Sequence, residues 1–333
     1  MAENTTLTYD RPSTGRESRG IGLLKGPVRS VWLLHRRALL LFGAYLVLSA
    51  GSLVWLRFIA PGEELGPCGS PGSDLPPCGP PPPLDSMFDF AGNLGAVASA
   101  IAWLPLVVAF YAGAVLVGAE LERGTAGLSW TQSVTPGRWL AAKLAVPAVL
   151  LLSGVTVLSL LYRWVRGAGA KALGDQWYFT DVFLALGPAV LAYCLFALAV
   201  GALAGLLVRR ALPAGGLAFV VTAIVMLFAD GRRDRLWPTA DVVWRNSRGE
   251  LPNSALQMEN GLVVAGKRVE RCWDPQVAMP PGCHSGSGIR EWYAVFHPSS
   301  HFWPIQLVET GIVLALAAAA TFAAFRVLRR LHA

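Results

Sequence analysis

Charge is the first thing this chain lacks. Asp, Glu, Lys and Arg make up 15% of its 333 residues, against roughly 25% in an ordinary soluble domain. Too few polar side chains are present to cover a water-facing surface of this size, which excludes a soluble enzyme or binding module. Cysteine is scarce as well. Five cysteines cannot staple a secreted scaffold of this length. A phosphate-cradling loop of the form G-x-x-x-x-G-K-S/T is absent: the one Gly-Lys pair, Gly266-Lys267, is followed by Arg268. No nucleophile–base pair, paired carboxylates or metal set falls together within the apolar regions, so catalytic residues, a resident metal and a cofactor bound by this chain are not expected. What the chain has in abundance is apolar side chains, at 54% of residues with a mean hydropathy of +0.48. That is the composition of an integral membrane protein.

Crossing ~30 Å of hydrocarbon takes about 20 apolar residues in a helix. Five stretches qualify: 38–55, 96–118, 144–162, 182–208 and 211–229. A sixth has an uncharged core at 311–325 and reaches spanning length by starting near Ile305 and taking in Glu309. Acidic and basic residues, among them Glu120, Lys143, Asp181, Arg209, Asp230 and Glu309, are expected just beyond the ends of these cores. The fold predicted is an all-α membrane protein of six transmembrane helices, with a small external subdomain between helices five and six. The corresponding segments are 1–37 (tail and entry helix), 38–230 (helices one to five), 231–304 (external subdomain) and 305–333 (helix six and basic tail).

Orientation follows from the basic residues of the short loops. With both termini in the cytoplasm, the inner segments carry fifteen Lys and Arg residues and the short outer loops only Arg57, Arg163, Arg166 and Lys171. The excess of 28 basic over 21 acidic residues is thus read as a topology signal, not as a nucleic-acid surface. The predicted location is the cell membrane, with membrane lipid as a partner. Cys68, Cys78, Cys272 and Cys283 then fall on the outer side, where disulfides persist. Proximity favours Cys68–Cys78 and Cys272–Cys283, while four cysteines allow three connectivities.

The loops differ in character. Residues 61–84 hold nine prolines and five glycines and read as an extended outer spacer. Residues 231–304 hold five tryptophans and short β-like runs at Val242–Trp244 and Leu262–Val264, with a turn at Ala265-Gly266. This is material for a subdomain that buries aromatics against the bundle. His297 and His301 have the spacing of a zinc half-site, but Pro298 stands between them and the cysteines are too far apart to complete it. Lys25 to Arg37 reads as a basic amphipathic helix lying in the headgroup plane.

The most informative loop runs from Gly118 to Arg138. Gly124-Thr125 breaks the second helix and caps a short one, and a turn precedes the third. The competing reading is a solvated connector. This arrangement, with Glu120-Leu121-Glu122-Arg123-Gly124-Thr125 followed by Thr135-Pro136-Gly137-Arg138, resembles the permease subunit of ABC-2 type transporters. The segment Phe296-His297-Pro298-Ser299-Ser300-His301-Phe302-Trp303-Pro304 is similar to a group of actinobacterial permeases of that family. The resemblance implies that the loop couples to a separate ATP-binding subunit, through Glu120, Glu122, Arg123, Thr125, Gln132, Ser133 and Arg138. It also implies ATP on that partner, a second permease half that is identical or related, and export as the direction. The alternative is a membrane-anchored sensor or scaffold that uses the external subdomain. A proton- or sodium-coupled carrier is disfavoured, because no ionisable group is expected inside the membrane beyond Glu309. Small residues at Gly201–Gly205 and Ala317–Ala320 are read as helix contacts, either within one bundle or at a dimer seam.

Overall fold

The structure is a computed structural model that describes residues 35–59, 84–131, 135–173, 176–245, 249–264, 267–270 and 291–331. Most of the Lys25–Arg37 entry segment, the proline-rich loop, Gln132, Ser133 and all four paired-cysteine candidates lie outside the described residues. In chain order the helices are α1 (Arg36–Ile59), α2 (Leu84–Tyr111), a π-helical stretch (Ala112–Gly118), α3 (Ala119–Glu122), α4 (Thr125–Thr131), α5 (Pro136–Leu173), α6 (Thr180–Leu186), α7 (Ala189–Val208), α8 (Ala211–Asp230) and α9 (Phe302–Arg330). Strands β1 (Ala240–Arg245), β2 (Leu256–Val264), β3 (Lys267–Glu270) and β4 (Glu291–His297) lie between α8 and α9. Among the described residues, six helices are long and apolar enough to cross a membrane.

α7 is the axis of the bundle. It packs against α2, the π-helical stretch, α5, α8 and α9, and 78% of its apolar window is buried, against 11% for α1. Its small residues set the distance. A Cβ placed on Gly201 would come within 2.8 Å of the Gly113 backbone nitrogen, and one on Gly205 within 2.8 Å of the Val117 side chain. The Gly201–Gly205 face is therefore spent on contact with the second span of the same chain, backbone against backbone. α1 and α8 line the outside of the bundle, with Leu41, Phe58, Leu212 and Leu227 from 72% to 82% exposed, as lipid-facing side chains are.

Three sequence expectations are corrected. The chain is mostly helical and not all-α: four antiparallel strands form one sheet in the order β1-β4-β2-β3. β4 is an aromatic-rich run bounded by Gly288 and Pro298, and it pairs with both β1 and β2. The predicted span 182–208 is broken at Gly187-Pro188, since Pro188 has no N–H to donate and Gly187 adopts an extended backbone, φ −134° and ψ −178°. Finally, the second, third and sixth apolar helices run well past their uncharged cores, so Glu120, Lys143 and Glu309 are helical residues and are buried or nearly so.

The sheet is held to the bundle by an aromatic cluster to which the tryptophan-rich segment contributes Phe302 and, among the described residues, no buried tryptophan. Trp177 donates its indole N–H to the Ser254 carbonyl at 2.8 Å and packs edge-on against Phe302. Trp237 and Trp303 are instead 40% and 44% exposed. With Trp55 and Trp164 they ring this end of the bundle, as interfacial aromatics do. Arg57 lies over the Trp164 ring and Arg163 over the Trp303 ring.

Candidate functional site

Gly124 adopts φ +70°, a conformation natural to glycine, and this turn lets α3 end and α4 begin after a two-residue link. Thr125 then donates its hydroxyl to the Glu120 carbonyl at 3.2 Å. α4 is thus folded back against the end of the second span; the sequence indicated the break at Gly124-Thr125 and the short helix after it.

Beneath it lies a knot of polar side chains from three spans. Lys143 on α5 donates to the Glu120 carboxylate and, at 2.9 Å, to the Leu116 carbonyl in the π-helical stretch. The indole N–H of Trp139, one turn earlier on α5, donates to the other Glu120 oxygen at 3.2 Å. Trp139 also meets Trp130 of α4 edge to face, with ring centroids 5.7 Å apart. His35, at the entry to α1, shares a 2.8 Å hydrogen bond with the Tyr111 hydroxyl, and its other ring nitrogen lies 3.5 Å from the Lys143 amine. Lys143 is 3% exposed and the Glu120 side chain 12%. At such burial a charge persists only with a partner. The His35 pKa is pushed down to about 4, first by burial and then by the Lys143 charge.

A second brace joins the same loop to the fifth span. Glu122 accepts from the Ala211 backbone N–H at 2.8 Å, satisfying one of the free donors at the start of α8. The link between α7 and α8 is only Arg209 and Arg210, both exposed, and Arg209 takes φ +55° to make the turn. The loop is therefore fastened to the first, second, third and fifth spans at one end of the bundle.

Of the sequence-derived site residues, Glu120, Glu122 and Thr125 are engaged within the chain, and Arg123, Thr125 and Arg138 are exposed on the loop surface. Lys143, Trp139, Tyr111 and His35 were not anticipated. The available signal was that Trp139 and Lys143 stand four apart, one turn on the same face of α5.

At the opposite end, a second buried polar group joins three elements. Arg233 binds Glu309 of α9 through two nitrogens, at 2.9 and 3.3 Å, and Asp230 at 2.9 Å. Tyr193 of α7 donates to Glu309 at 2.9 Å. Arg233 lies 4.0 Å above the Phe183 ring. Gln306 closes the break in the fourth span: its amide nitrogen donates to the Phe183 carbonyl at 2.6 Å and its oxygen accepts from the Ala189 N–H at 3.2 Å. His297 and His301 share a 3.0 Å hydrogen bond, and the other His297 nitrogen meets the Asp234 carbonyl. Among the described residues, no group of three or more His, Cys, Asp or Glu is placed to hold a metal ion.

Six apolar helices, one of them the buried axis of the bundle, with a short helix braced across one end, define a multi-pass membrane protein. The chain belongs to the ABC-2 membrane transporter related family, whose model matches residues 37–231, more than half of its length and all of the first five spans. It is a transporter permease. No curated protein and no solved structure matches the chain.

Proposed function

We propose that this permease is driven by a separate ATP-binding subunit that docks on α4 and the flanking loop, and that it exports its cargo. The observation that carries this reading is the fastening of α4. A loop tied to the second, third and fifth spans by the Glu120–Lys143 pair and the Glu122–Ala211 bond transmits a push to the bundle instead of bending. Arg123 and Arg138 are exposed on its surface as polar contacts for a partner, with Thr125 exposed beside them. Gln132 and Ser133 belong to the same proposed surface. That the sequence carries no phosphate-cradling loop supports ATP binding by the partner. A second permease half, both termini in the cytoplasm, residence in the cell membrane and oxidised outer cysteine pairs complete the proposal. The four-stranded sheet by itself would suit a sensor or scaffold, but that role leaves the braced loop without a purpose.

Arg123→Ala combined with Arg138→Ala tests it. Both side chains are exposed, so thermal stability should not change. Copurification with an ATP-binding subunit should fall by roughly tenfold, equivalent to ~1.4 kcal/mol. Unaltered copurification and transport-linked ATP hydrolysis would support a solvated connector instead.

A further inference from the structure

Between α1, α2 and α5 the bundle encloses a cleft of about 320 Å³ whose lining is almost entirely apolar. Leu39 and Phe42 of α1, Leu104 and Val108 of α2, and Leu150 and Leu151 of α5 form its walls. It is open sideways. Leu41, Trp103 and Val107 line it and are 73%, 62% and 63% exposed on the outer surface of the bundle, where hydrocarbon is the surrounding medium.

Its two ends are unlike. One is closed by polar groups, the His35–Tyr111 pair. The other is closed where the Tyr45 hydroxyl of α1 donates to the Ala100 carbonyl of α2 at 3.2 Å. From Ala100 to Tyr111 is eleven helical rises, ~16 Å. That is about half of the ~30 Å hydrocarbon thickness, the depth of one leaflet. Beside the polar end, Arg36 and Arg37 are exposed on the first turn of α1. Arg37 stands one turn above Leu41, on the same face and at the outer lip of the cleft.

We infer that the cleft is a binding site for one anionic phospholipid, with an acyl chain between α1, α2 and α5 and its phosphate on Arg36 and Arg37. Depth, lateral opening and apolar lining select a single chain drawn from the adjoining leaflet. The paired arginines at the mouth select a negative headgroup, since a basic pair at a membrane surface gains most from anionic lipid. The occupant touches the helices that carry His35, Tyr111 and Lys143, so its presence steadies the knot beneath α4. The inference needs only the membrane-spanning bundle, and it holds whatever cargo is moved and whichever subunit supplies ATP.

The full chain is reconstituted in vesicles of phosphatidylglycerol and phosphatidylcholine containing a trace of phosphatidylglycerol with a photoreactive acyl chain. Labelled peptides are then mapped by mass spectrometry. The expected label is concentrated several-fold on residues 38–45, 100–111 and 146–151 relative to the lipid-facing surface of α8. Ala100→Trp, which fills the closed end, should remove that excess. Arg36→Ala with Arg37→Ala should abolish the preference over a photoreactive phosphatidylcholine while leaving chain labelling in place. Leu212→Trp on α8 should change nothing. Label spread evenly over all lipid-facing helices of the unsubstituted chain would overturn the inference, as would equal labelling by the two headgroups. The mapping on the unsubstituted chain decides the matter even if a variant fails to fold.

Discussion

Lys143 shows most plainly how a residue at the edge of an apolar run becomes structural. In the sequence it flanks a span and adds one to the count of inner positive charges. In the fold it is 3% exposed, and its amine is shared between a carboxylate and a backbone carbonyl. Removing one member of a buried pair costs about 3–5 kcal/mol, because the other charge is stranded, whereas replacing both with apolar groups is often neutral. Lys143→Met should therefore lower the unfolding temperature of the solubilised protein strongly, and the double change Lys143→Met with Glu120→Leu should restore much of it. Equal losses for the single and double variants would show that the pair is not what holds this end together. His35 sets a pH dependence at the same place. Its ordinary value of 6.5 is lowered to about 4, mainly by burial and further by Lys143. The Tyr111 hydroxyl faces it, and the Glu120 carboxylate lies 4.0 Å away. The folded state keeps the ring neutral, so its contribution is complete above pH 6.5 and is lost as pH falls from 6.5 towards 4. Amide exchange in the first two turns of α1 should speed up across that window and stay flat above it. A His35→Phe variant should lack the dependence.

At the scale of elements, the short helix α4 was legible because its signals are local. A glycine able to take φ +70°, a threonine after it and two flanking apolar spans sit within one short stretch. The partners of Glu120 were not legible, since His35 and Lys143 lie 85 and 23 residues away in the chain and only the fold brings them together. The break in the fourth span had its signal in Gly187-Pro188. It was overridden by the continuous apolar run on either side, and its repair by Gln306 comes from 117 residues further along. An unpaired buried backbone group costs about 1–3 kcal/mol. Gln306→Leu frees both the Phe183 carbonyl and the Ala189 N–H, so exchange at residues 183–189 should rise by one to two orders of magnitude. Gln306→Glu, which keeps the acceptor for Ala189, should have a smaller effect there. Identical exchange in Gln306→Leu and the unsubstituted chain would mean that the break is held by packing alone.

Across the whole molecule, the two ends are built differently around one axis. α7 is fixed by small-residue contacts along its middle. A polar knot ties the short helix to the bundle at one end, and the Arg233–Glu309 pair ties the sheet-bearing end together. Composition made the membrane and the number of spans readable, because apolar length is a property of sequence alone. It could not reveal that charges at the rims would be drawn inwards and paired. In the proposed function the end carrying α4 receives the ATP-binding subunit. The most direct measurement places a photoreactive residue at Arg123, and separately at Arg245 on the exposed edge of β1, in cells that hold the native transporter, with cross-linked chains identified by mass spectrometry. A chain carrying a phosphate-binding loop should be captured from position 123 and not from position 245. Capture of that chain from 245 alone, or its copurification without any cross-link at 123, would mean that the subunit docks elsewhere than on α4.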